Sequence, residues 1–187
     1  MWNDSIIEAV RPFDDVRLDL SVAGLGSHAT ATSSDKIRAI DALITRIKYM
    51  EPEQREAMTE VVARAVKARL ADDLMMTSEQ VRALAAAGMI IGAHTVSHPI
   101  LARMDPARAR AEILDSKDKL EHLIGERVTL FAYPNGKPGI DYARHHADMV
   151  RQAGFAAALS TAAGAARRNS DLYQLPRFTP WNTEPFK

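Results

Sequence analysis

The sequence has no cysteine, which excludes a disulfide framework and a cysteine-ligated metal alike. Any metal must then be held by histidine and carboxylate. Neither sign of charge is in excess, since 24 basic residues balance 24 acidic ones; that balance gives no reason to expect nucleic acid or an anionic membrane surface as a partner. No run approaches the roughly 20 apolar residues of a membrane span. Met1-Trp2-Asn3-Asp4-Ser5 contains no basic segment leading into an apolar one, so no signal peptide is visible and a cytoplasmic location is the default expectation. What is present suits a globular protein: 187 residues, 47% of them apolar, suffice for one domain with a sizeable core.

The first seventy residues read as helix-rich. Asp4 to Val10 is expected to form a short helix that Pro12 stops. Val16, Leu18 and Leu20 alternate with Arg17 and Asp19, the pattern of a half-buried strand. The small polar stretch from Gly24 to Ser34 reads as a loop. Ser34 or Asp35 is placed to cap a helix from Lys36 to Tyr49, whose Ile37, Ile40, Leu43, Ile44 and Ile47 make an apolar stripe. Pro52 opens a further helix reaching to about Leu70. Nothing in this segment, residues 1–73, forms a catalytic cluster, and its apolar faces are expected to serve packing. Met75 and Met76 at the join are expected to fill core space.

Residues 74–187 have a different grammar. Thr77 or Ser78, followed by Glu79 and Gln80, supplies capping chemistry for a helix to Ala87. Gly88-Met89-Ile90-Ile91-Gly92-Ala93 then reads as a buried strand, running into His94-Thr95-Val96-Ser97-His98-Pro99. Two imidazoles four residues apart, at the C-terminal end of a strand, can serve as a pair of metal ligands or simply as hydrogen-bonded loop residues. Asp105 and Pro106 start a long helix ended by Gly125, with Ala109, Ile113, Leu120 and Leu123 inward and Arg108, Glu112, Lys117 and Lys119 in water. Val128 to Tyr133 is the next buried strand, and Asn135-Gly136 and Pro138-Gly139 mark the loop after it. His145 and His146, adjacent and therefore divergent on a helix, read as surface residues, and His28 and His122 as structural ones. Phe155 to Ser160 and Asp171 to Phe178 are expected strands. Arg177, near the end of the last, is equally suited to pairing with a carboxylate and to capping the sheet. Strands alternating with helices predict an α/β fold with parallel strands.

Ile91-Gly92-Ala93-His94-Thr95-Val96-Ser97-His98-Pro99 resembles the second motif of the polysaccharide deacetylases, the NodB-homology family, and Phe131-Ala132-Tyr133-Pro134-Asn135-Gly136 resembles the third. A helix-length segment separates the two, as in that family, and the resemblance covers about Leu74 to Pro180. It implies a partial distorted (β/α) barrel with a helical N-terminal segment and a groove at the strand C-termini. It also implies a divalent metal, zinc in most members, held by His94 and His98, with the backbone N–H near Asn135 at the oxyanion. Tyr133 and Pro134 would shape the substrate groove, with Arg177 beside it. The substrate class implied is an N- or O-acetylated glycan.

The family's first motif, a strand ending in Thr-Phe-Asp-Asp-Gly, supplies a third metal ligand and the base. No such strand precedes the histidines here. Phe13-Asp14-Asp15 lacks the strand context and the glycine. The expectation is therefore a chain that begins inside a longer domain. A barrel short of strands would leave unpaired edges, which a second copy of the chain would cover. Two further departures are Ala132, where many members carry arginine, and the lack of a Leu-x-His near the C-terminus. Three functions follow as alternatives: a metal-dependent deacetylase, a non-catalytic glycan-binding relative, and a structural α/β domain.

Overall fold

Helix caps and apolar spacing decide where most elements begin and end. The structure, a computed structural model, describes residues 1–69 and 73–178. The chain divides into two units, Met1–Met76 and Thr77–Lys187.

In the first unit, helix α1 (Trp2–Val10) buries Ile6, Ala9 and Val10. Strand β1 (Arg17–Leu20) buries Leu18 and Leu20, as alternation requires, but Val16 is 70% exposed because it precedes the paired residues. The polar stretch expected to be a loop contains a strand, β2 (Gly26–Ala29), antiparallel to β1 with Leu20 opposite Gly26 and Arg17 opposite Ala29. Its composition hid it, since a two-stranded ladder needs only backbone partners. Helix α2 (Ser33–Ile47) starts earlier than the sequence indicated. Thr32 is the cap, and Asp35 sits three residues on, its carboxylate accepting from the Thr32 N–H at 3.0 Å while Thr32 Oγ1 accepts from the Asp35 N–H. Helix α3 (Pro52–Ala65) ends short of the expected limit, with Lys67 in the left-handed region at φ 54°. Leu70 lies outside the described residues. Ile6, Val10, Leu43, Ile47 and Val62 close this core. Met75 and Met76 are exposed, at 57% and 58%, and fill no core space. Asp14 and Asp15 are exposed beside a turn.

The second unit is built on parallel pairing. Helix α4 (Ser78–Ala86) has a reciprocal cap between Thr77 and Gln80. Helix α5 (Pro106–Ile124) is capped by Asp105, whose carboxylate accepts from the Ala107 and Arg108 N–H groups, and ends at Gly125 in the left-handed conformation at φ 72°. Strand β3 (Leu130–Ala132) pairs in parallel with β4 (Ala157–Leu159), Phe131 opposite Ala158. Helix α6 (Arg144–Gln152) lies between them in sequence. Ala93 bridges Phe131 on one side and Leu175 bridges Leu159 on the other, both parallel. Four parallel segments thus lie in the order Ala93, β3, β4, Leu175.

The outer two segments are single bridges, shorter than the strands expected there. Met89 and Ile90 are 59% and 80% exposed, so the apolar run before His94 is not a buried strand. Only Ala93 is tied to β3, through Ala93 N–H to Leu130 carbonyl at 2.8 Å and Ala132 N–H to Ala93 carbonyl at 2.9 Å. The core of this unit packs Ile113 and Ala109 of α5 and Val150 of α6 on Phe131, Phe155 and Val128. Each of these side chains other than Ala109 is worth about 1.5–3 kcal/mol in burial.

Candidate functional site

His94 follows the Ala93 bridge directly, so the sheet fixes its backbone. Its ring is fixed by the neighbouring strand: Nδ1 donates to the Ala132 carbonyl at 2.7 Å. A carbonyl can only accept, so Nδ1 carries the proton and the Nε2 lone pair is left for a ligand. Burial, and secondarily the Arg177 charge, hold the His94 imidazole below its ordinary pKa, which keeps it neutral. The His98 ring stands edge-on to it, centroids 4.9 Å apart and planes at 72°. The loop achieves this convergence without a helix. Thr95 and His98 both lie in the left-handed region, at φ 63° and 55°. For non-glycine residues that conformation costs about 1–2 kcal/mol each, so other contacts must hold the loop.

Those contacts come from a residue that the sequence placed on the solvated face of a helix. Glu112 of α5 accepts from the Val96 N–H at 2.7 Å and the Ser97 N–H at 2.9 Å through Oε2, and from Ser97 Oγ at 2.7 Å through Oε1. Periodicity could assign Glu112 only to the polar side of α5. No local signal tells which polar residue a loop 15 or 16 positions away will recruit.

The Tyr-Pro-Asn-Gly segment leaves β3 as a tight turn. Asn135 and Gly136 both have positive φ, 59° and 73°. Thr161, beyond β4, ties the turn down: its Oγ1 donates to the Asn135 carbonyl and its N–H to the Gly136 carbonyl, each at 2.8 Å. A Cβ on Gly136 would meet Thr161 N, Thr161 Cγ2 and the Tyr133 carbonyl, all at 3.0 Å, so only glycine fits. Among the described residues, no acceptor takes the Asn135 N–H. Pro134 is buried. Tyr133 is 1% exposed, its ring stacked on Tyr142 at 3.7 Å and its hydroxyl donated to the Tyr173 carbonyl at 2.8 Å. Burial first, then Tyr142, push its phenol up, so it remains a donor. Tyr133 therefore lies beneath the turn, within the core.

Arg177 is half-buried, with its N–H on the Ala162 carbonyl at 2.9 Å. Its Nε is buried and has no hydrogen-bond partner among the described residues. His146 departs furthest from its sequence reading. It is 1% exposed, and its Nδ1 accepts from the Ala143 N–H at 2.9 Å, closing the start of α6. Its spacing with Ala147, Met149 and Val150, all buried, was the signal that could have placed it inward. His145 is exposed, as expected, and His28 Nε2 donates to the Leu25 carbonyl at 2.9 Å.

For a divalent metal, the described residues offer two candidate ligands. His94 has the right tautomer and His98 the right proximity. Among the described residues, no group of three His, Cys, Asp or Glu side chains is placed to hold a metal. A catalytic zinc site takes three protein ligands and a water, so the pair fits as part of such a site. No helix among the described residues is long and apolar enough to cross a membrane.

Comparison with known proteins bears on the same segment. YxkH of Bacillus subtilis (strain 168), a protein assigned to the polysaccharide deacetylases, is 28% identical over 102 residues, covering 54% of this chain and 35% of YxkH. Among solved structures, the Streptococcus pyogenes deacetylase PplD, in complex with acetate, superposes with a TM-score of 0.53 at 23% identity, covering 63% of this chain and 55% of PplD. The polysaccharide deacetylase-type protein BA0330 of Bacillus anthracis superposes with a TM-score of 0.50 at 19% identity, covering 57% of this chain and 33% of its own. These likenesses support the fold, an α/β arrangement of the NodB type, and the parallel segments of the second unit form part of such a barrel. The chain spans about a third of YxkH and about half of PplD. Residues 46–158, more than half of the chain, match the model of the family described as polysaccharide deacetylase, and the chain belongs to that family.

Proposed function

We propose that this chain carries the histidine half of a metal-dependent hydrolase that removes N- or O-acetyl groups from a glycan. The observation that carries the reading is the His94 ring, locked by the Ala132 carbonyl with Nε2 open and His98 4.9 Å away. Zinc held there would polarise the acetyl carbonyl and make its water more acidic. The chain's own groups act around it. His94 stays neutral under burial and the Arg177 charge, so its lone pair is available across the physiological range. The Asn135 N–H, on a turn fixed by Thr161, is a preorganised donor for the oxyanion of the tetrahedral adduct. Pro134 and the core-anchored Tyr133 keep that turn in place beside the groove. Arg177 offers its Nε to a carboxylate supplied from outside the described residues, and separate carboxylates from there would complete the ligand set and take the water's proton.

Zinc titration by calorimetry on the full chain, beside His94→Ala and His98→Ala, tests the ligand pair. Binding in the micromolar range or tighter, lost in both variants, is expected. A folded chain that ignores zinc refutes the metal site. Acetate release from an acetylated chitooligosaccharide then separates deacetylation from glycan binding alone: a chain that binds zinc and oligosaccharide but releases no acetate is a binding relative.

A further inference from the structure

We propose that Glu112 is the positioning residue of the histidine pair, a carboxylate latch that joins the His94–His98 loop to helix α5, whose inner face is buried. The proposal rests on the reading of the two histidines as ligands. Val96 and Ser97, the residues whose N–H groups Glu112 receives, lie between the two left-handed positions, Thr95 and His98. Without an acceptor at that point, the strained backbone has every reason to relax, and relaxation at His98 swings its imidazole away from His94, which the sheet and the Ala132 carbonyl hold. The latch is rigid at its other end. Glu112 directly precedes Ile113, which is fully buried together with Ala109 one turn earlier on α5. The loop is therefore referenced to the core and not to solvent.

The chemistry explains the residue type. Two N–H donors converge on one oxygen and a hydroxyl on the other, so three donors meet a group that only accepts. An ionised carboxylate satisfies all three with charge-assisted bonds. Glutamine keeps one acceptor oxygen for the two N–H groups and turns its amide toward Ser97 Oγ, which can accept in its place. Alanine keeps nothing. A carboxylate spent in this way is a support for ligands, and removing such supports typically weakens metal affinity about 10- to 100-fold.

The test compares the full-length chain with Glu112→Ala, Glu112→Gln and Glu121→Ala. Glu121 sits on the same helix and accepts from the Val128 N–H at 2.9 Å, so its loss removes an equivalent cap far from the histidines. Zinc affinity is measured by calorimetry, and amide exchange at Val96 and Ser97 by NMR. Expected for Glu112→Ala are at least about tenfold weaker zinc binding and faster exchange at both amides. Glu112→Gln stays within about threefold of the parent, and Glu121→Ala lowers the melting temperature without moving zinc affinity. Parent-like zinc binding in Glu112→Ala, or equal weakening in Glu112→Ala and Glu121→Ala, overturns the proposal. If the parent itself binds no zinc, the ligand reading fails. Amide exchange and the His94 and His98 ring resonances then decide the latch: unchanged spectra in Glu112→Ala overturn it, and multiple ring conformers support it.

Discussion

Acidification should erode the stability that His146 gives the start of α6, beginning at a pH above the ordinary carboxylate range. Burial first, and then the adjacent His145, lower the His146 pKa from 6.5 to about 4. Protonation has to place a hydrogen on the Nδ1 lone pair that receives the Ala143 N–H, so the charged ring loses its place at the start of the helix. The folded value is depressed, so between pH 6.5 and 4 the unfolded chain binds the proton that the folded chain refuses. Stability from this group is complete above pH 6.5 and is lost as pH falls toward 4. A shift of this size corresponds to about 3 kcal/mol over the whole window, and about 2 kcal/mol of it is gone by pH 5. The assay is urea unfolding at pH 7 and pH 5, followed by the near-ultraviolet dichroism of the stacked Tyr133–Tyr142 pair in the same unit. The parent should lose about 2 kcal/mol more over that interval than His146→Gln, which cannot titrate but can still accept from Ala143. Equal losses in the two proteins would refute the reasoning, because the pH dependence would then belong to other groups.

Two substitutions probe the turn that carries Asn135. Gly136→Ala combines a left-handed backbone with a Cβ 3.0 Å from two backbone atoms, and should cost about 2–4 kcal/mol in urea unfolding; a loss under about 0.5 kcal/mol would mean the turn relaxes freely. Tyr133→Phe leaves the Tyr173 carbonyl without its donor and should cost about 1 kcal/mol while zinc affinity stays unchanged. A large drop in zinc affinity in that variant would mean the phenol acts at the site and not beneath it.

The legibility of this fold follows the range of the interactions that set it. Helix α5 could be read to the residue, because Asp105, Pro106 and Gly125 act through contacts within one turn of their own positions. Helix α4, whose Thr77 and Gln80 cap each other, could be read to within a residue, with Thr77 and Ser78 both open as its cap. Strand β2 could not be read, since Gly26-Ser27-His28-Ala29 has no alternation and owes its conformation to the ladder with β1. The run Met89-Ile90-Ile91 failed in the opposite direction. It has the composition of a parallel strand buried on both faces, yet composition carries no information about whether a neighbour covers it. At the site, the histidine pair was visible because the chemistry of imidazole and the four-residue spacing are properties of the sequence. Glu112 was not, because it is recruited by a distant loop, whereas the burial of His146 on α6 is legible in its spacing with Ala147, Met149 and Val150.

Charge balance decides what the site still requires. Its described members are a neutral His94, His98 close beside it, and the Arg177 guanidinium, whose field reaches the His94 ring. The nearby Glu112 carboxylate does not offset this charge freely, since it is committed to three donors of the loop. A dication on two neutral imidazoles would face the Arg177 charge in a half-buried setting, where Coulomb repulsion is several times stronger than in water. The buried Arg177 Nε meanwhile lacks an acceptor among the described residues. One carboxylate placed between Arg177 and the histidines answers both demands, accepting from Nε and offsetting the charge of the metal. On the reading proposed for the histidines, this corresponds to the first of the two roles open to Arg177 in the sequence, pairing with a carboxylate. It also orders the zinc experiments: Arg177→Ala should weaken zinc binding if the carboxylate is present and held by Arg177, and should strengthen it if repulsion is the only interaction between the two.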